Sequence, residues 1–118
     1  MPWHLSDQSR ELDHRSFESV DELWAWLTEN HQSHPGLWVV LQKKGSLKPS
    51  ITFHDLLEAG IAFGWSESTR RANDRHSYLQ KFTPRRTKGT TSARNTAIAE
   101  RLETEGRMTP AGRSALQR

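Results

Sequence analysis

Arg85 and Arg86 stand side by side behind Pro84, with Lys88 just beyond and Arg94 a few residues further on. Each arginine carries a planar fork that binds a carboxylate or phosphate at two points. Ser92 reads as the cap of a helix beginning beside them, with Asn95 in its first turn. The free backbone N–H groups and positive end of that helix are a recognised way of holding an anion. The same arginines also read as partners of acidic side chains or as a solvated face, so anion binding and ion pairing both stay open. Glu67 is the acidic group set between the Gly64-Trp65 corner and the arginines. It could serve as an acid or base, but a lone carboxylate there is expected to close an ion pair with Arg85 or Arg86.

Other chemistry finds less support. Lys43 and Lys44 end an apolar run and could extend the basic surface or simply solubilise an edge. Six histidines invite a metal site, yet His31-x-x-His34 straddles an expected helix end, and the chain has no cysteine to complete a zinc set. His54-Asp55 suggests a hydrolase triad, but no G-x-S-x-G nucleophile turn accompanies it. No catalytic set, metal or cofactor is therefore expected. Tyr78 and Phe82 could act as stacking rings for nucleic acid. Trp65 and Tyr78 could wall an enzyme site around Glu67.

The charge distribution favours the first group. The net charge of +3 conceals an acidic first third, since residues 1–36 hold two basic against seven acidic side chains. Residues 70–94 hold eight basic groups against Asp74 alone, so the basic excess has one address. The 118 residues suit a single domain, which buries about two-thirds of its unfolded surface. With only 33% hydrophobic residues the core must be compact, and five tryptophans help to fill it. No apolar run approaches the length of a membrane span, and the acidic start does not read as a signal peptide. A cytoplasmic protein without membrane insertion is expected, its oligomeric state open.

The elements that must position these residues follow from pattern. Residues 1–16 are polar and read as an extended lead-in, with one domain over 17–118. Ser19 and Glu22 form a capping box before Val20, Leu23, Trp24 and Leu27, which share one helical face, predicting a helix over 20–31. Pro35-Gly36 breaks the chain before Leu37-Trp38-Val39-Val40-Leu41, a central strand by its two apolar faces. Thr52 and Asp55 cap a second helix closed by Gly64. Strands near 65–71 and 76–82 form a hairpin about Asn73-Asp74. A third helix starts near Ser92 and ends at Gly106, and Thr109-Pro110 starts a short fourth. These signals predict an α+β domain, a short antiparallel sheet of about three strands packed with three to four helices.

Several motifs recur in a familiar order: Trp38 with Lys43-Lys44-Gly45, Phe63-Gly64-Trp65, Phe82-Thr83-Pro84-Arg85-Arg86, Ser92 with Asn95, and Gly106-Arg107-Met108 with Gly112. In this the chain resembles the YdeI/OmpD-associated (bacteriocin-protection) family over roughly residues 17–117. It departs from that pattern at Ser66-Glu67-Ser68, where relatives carry Ile-Asp-Gly, and at Thr91, where they carry tryptophan. The resemblance implies a link to bacteriocin or antimicrobial stress protection and draws Trp65 and Glu67 into the site. The resulting expectation is a non-enzymatic binding module using Arg85, Arg86, Lys88, Ser92, Asn95, Trp65 and Glu67. Its partner would be a small anionic ligand or an acidic protein segment. A nucleic-acid-binding module, or an enzyme using Glu67, is the alternative.

Overall fold

The chain folds as an α+β domain, seen in a computed structural model that describes residues 12–86 and 92–116. In order the elements are β1 (Asp13–Ser16), α1 (Val20–Asn30), β2 (Leu37–Gln42), α2 (Phe53–Phe63), β3 (Trp65–Ala72), β4 (Ser77–Pro84), α3 (Ala93–Thr104) and α4 (Pro110–Leu116). The strands form one mixed sheet in the order β1-β2-β4-β3. β2 and β3 each pair antiparallel with β4, whereas β1 runs parallel to β2.

The fourth strand enlarges the three-stranded antiparallel sheet that pattern predicts. Asp13–Ser16 is polar and exposed at every position, so it carries no apolar alternation, and its place depends on backbone pairing with β2 across a β-α-β connection.

The helices start where their caps say they should. Ser19 accepts from the Glu22 N–H at 3.2 Å, and Thr52 and Asp55 form a reciprocal capping box. α3 ends in a Schellman arrangement, with Gly106 N–H bonded to Glu103 O and Arg107 N–H to Leu102 O. Leu23 and Leu27 of α1, Leu56 and Ile61 of α2, and Ile98 and Leu102 of α3 form one core with Leu37, Val39, Leu41, Trp65 and Phe82. Those five share one face of the sheet by strand alternation and register. Three of the five tryptophans fill it: Trp26 meets the Trp65 ring edge-on at 5.7 Å, and Trp24 meets Phe63 at 5.2 Å, whereas Trp38 lies on the opposite face of the sheet under Arg71 and Trp3 lies outside the described residues.

Two glycines decide how the last helix seats. Gly64, at φ +80°, turns the chain from α2 straight into β3. Gly112 lets α4 lie directly on the end of α2, since a Cβ there would stand 2.2 Å from the Ala62 carbonyl oxygen. The Thr109 hydroxyl locks the same joint by donating to Ala62 O at 2.6 Å and accepting from Gly112 N–H at 3.2 Å.

Candidate functional site

Around the Gly64 turn, four parts of the chain converge. Arg85 N–H donates to Gly64 O at 2.9 Å, which ties the segment after β4 to the turn. Trp65 Nε1 donates to His31 O at 3.1 Å, which brings in the end of α1. α4 closes the fourth side through Ala111 and Ala115. Between them lies a cleft of about 360 Å³ bordered by His31, Phe63, Gly64, Pro84, Arg85 and Arg86.

Arg85 is half-buried and Arg86 exposed. The Arg85 Nε is shut off from solvent and has no hydrogen-bond partner among the described residues. No carboxylate lies within ion-pairing distance of either arginine among those residues. The His31 Nδ1 lies 2.7 Å from Leu27 O and must carry the proton of that bond, which fixes the ring and leaves Nε2 as its other polar atom.

The remaining expected site residues divide. Trp65 borders the cleft, but at 1% exposure its ring belongs to the core. Glu67 does not pair with Arg85 or Arg86. Its carboxylate instead lies 4.0 Å from Arg94, because Glu67 sits on the helix-facing side of β3, where the first turn of α3 arrives. Ser92 caps α3 by accepting from Asn95 N–H at 3.2 Å, and Asn95 Oδ1 in turn accepts from Arg94 Nε at 3.3 Å. Ser92, Asn95 and Glu67 thus gather around Arg94 and do not border the cleft. Lys88 and Thr91 lie outside the described residues.

Other candidates fall elsewhere. Lys43 and Lys44 follow the end of β2 that pairs with the start of β4, whereas Arg85 and Arg86 follow the opposite end of β4, so they do not extend one surface. Phe82 is 0% exposed and cannot stack on a base, and Tyr78 is covered by the Arg70 guanidinium at 4.8 Å. His54 pairs with Glu58 one turn on, and His34 accepts from Gly36 N–H. Among the described residues no three His, Asp or Glu side chains gather as a metal set, and no helix is long and apolar enough to cross a membrane.

Sequence reasoning missed Arg70 and Gln80. The available signal was Gln80 itself, an amide at a strand position between Tyr78 and Phe82 where alternation calls for an apolar side chain. His31 of the cleft was noticed only as a metal ligand.

The family model of a domain of unknown function (DUF8412) matches residues 15–115. No curated protein and no solved structure matches the chain.

Proposed function

We propose that this chain, which belongs to the DUF8412 family of domains of unknown function, is a non-enzymatic module that binds a small anionic group, a carboxylate or a phosphate, in the cleft headed by Arg85 and Arg86. The observation that carries this reading is Arg85 and Arg86 together at the wall of one open cleft, with no carboxylate within ion-pairing distance of either among the described residues. The buried Arg85 Nε also lacks a partner among those residues, so the guanidinium is not neutralised from within the fold. An anion supplies the missing counter-charge, and a planar or tetrahedral oxyanion matches the guanidinium fork. Arg86 adds a second positive charge at the mouth.

The motif order resembling the YdeI/OmpD-associated family supports linking this binding to bacteriocin or antimicrobial stress protection. The absence of cysteine supports a cytoplasmic setting.

Thermal-shift and calorimetric titrations with inorganic phosphate, acetate and citrate test the reading. An anion present at a hundred times its Kd should add about 2.7 kcal/mol of stability. The gain should disappear in an Arg85→Ala, Arg86→Ala variant. An unmoved midpoint with all three anions, or undiminished affinity in the double variant, would overturn the assignment.

A further inference from the structure

A bulge in β3 decides which way its arginines face. Between Glu67 and Arg70 the strand uses one residue more than β4 uses between Phe82 and Gln80. Alternation therefore skips, and Arg70 lands on the same face as Glu67 and Gln80, while Arg71 goes to the other face over Trp38.

On that face Arg70 is held from three sides. Its guanidinium carbon lies 4.8 Å from the Tyr78 ring centroid and 5.1 Å from that of Phe53. Its Nε donates to Gln80 Oε1 at 3.2 Å. Gln80 is itself 1% exposed, and its Nε2 is engaged by the bulge carbonyls of Ser68 and Thr69 at 3.2 and 3.3 Å, which leaves Oε1 to face Arg70. An apolar side chain of similar volume would pack this core position without the desolvation of an amide, so Gln80 acts as a positioning residue. Arg70 remains exposed, its two terminal nitrogens have no partner, and no carboxylate lies within 4.0 Å of it, all among the described residues. The fork is rigid and its charge is not neutralised.

We propose that Arg70 is a preorganised carboxylate receptor on an interaction surface, and that its partner is an acidic segment of another protein. Preorganisation lowers the ordering cost of binding, and the exposed fork matches a carboxylate at two points. A free anion fits the place poorly. Arg70 is exposed, and an isolated exposed ion pair contributes little. A protein segment adds contacts along the exposed edge from Ser68 to Ala72. Charge selects its sign, since Arg70, Arg71, Arg75 and Lys81 are opposed between residues 70 and 81 only by Asp74. This surface is independent of the Arg85 cleft.

The test follows the arginine Nε–H signals by NMR while a short Glu-rich peptide, glutarate or inorganic phosphate is added to the whole chain. The peptide should shift and saturate the Arg70 signal. Arg70→Lys, which keeps the charge and loses the fork, should weaken peptide binding about tenfold or more. Gln80→Leu should weaken it less, because the rings still hold the side chain, and Arg85→Ala should leave it unchanged. Equal affinity in Arg70→Lys, an unmoved Arg70 signal, or saturation by glutarate or phosphate at lower concentration than the peptide would each overturn the proposal. The wild-type titrations decide the matter alone if a variant fails to fold.

Discussion

Arginines on the α3–α4 side of the molecule are neutralised by carboxylates, Arg107 while also stacking over Trp24 at 4.5 Å, whereas among the described residues those around the hairpin and cleft are not. On the helical side Arg101 bonds Glu58 and Glu105, Arg107 bonds Glu105, and Arg113 takes Glu103 through two nitrogens. The pairs leave a mark on titration: hydrogen bonds from Arg113 hold Glu103, and those from Arg107 and Arg101 hold Glu105, below the usual carboxylate range. Around the hairpin, rings hold Arg70 and Arg71, and at the cleft the main chain of Arg85 is tied to Gly64 while its guanidinium Nε has no partner among the described residues. None of these three meets a carboxylate among the described residues. A counter-ion fixes an arginine by spending its charge. Rings fix it and leave the charge available, and on the charge left unpaired the two proposed binding roles rest.

The comparison breaks most severely if α4 is pushed off α2. Gly112→Val should cost about 3 kcal/mol or more, since overpacking alone costs about 1–3 and the obstructing atoms here are backbone. Chemical denaturation should register that loss. Anion binding should fall with it, because Ala111 and Ala115 form one wall of the cleft.

A sharper comparison comes from Arg85→Met. Anion affinity should disappear while the melting temperature holds or rises, because the variant removes a buried unsatisfied donor worth about 1–3 kcal/mol. Arg113→Met should do the reverse, lowering the melting temperature slightly and leaving anion affinity intact. A fall in stability on removing Arg85 would mean that its charge is already matched.

Ser92→Ala should cost about 0.5–2 kcal/mol, the usual loss for a capping serine, measurable by urea denaturation. Anion affinity should be nearly unchanged, since Ser92 does not border the cleft. A parallel loss of anion binding would join the Arg94 cluster to the cleft.

The smallest expected effect is in pH. Glu103 and Glu105 have lowered folded-state pKa values, so their stabilisation is fully present above the ordinary carboxylate range and is lost as pH falls through and below it. Both are exposed, so the acid-side fall in melting temperature should be shallow, blunted by salt, and reduced further in Arg113→Met.

Much of the architecture was legible because it rests on local physics. Helix starts at Ser19, Thr52 and Ser92, the turn at Gly64, the hairpin about Asn73-Asp74 and the central position of Leu37–Gln42 all follow from capping chemistry, positive φ and apolar periodicity. These act over a few residues and are written in neighbouring letters. The grouping of Arg85 and Arg86 in one basic stretch was equally visible.

What only the tertiary structure decided involves partners distant in sequence. β1 has no apolar pattern, and pairing with β2 alone makes it a strand. The bulge between Glu67 and Arg70 reverses alternation, so no period-two reading could send Arg70 to Phe53 and Tyr78 or Arg71 to Trp38. Glu67 found Arg94 because packing of α3 against α2 brings its first turn to β3, while Arg85 was left beside a cleft whose walls come from α1, α2 and α4. By itself the sequence determined which charges are present and which elements carry them. Which charges are neutralised depends on distances between elements far apart in the chain, which long-range packing sets.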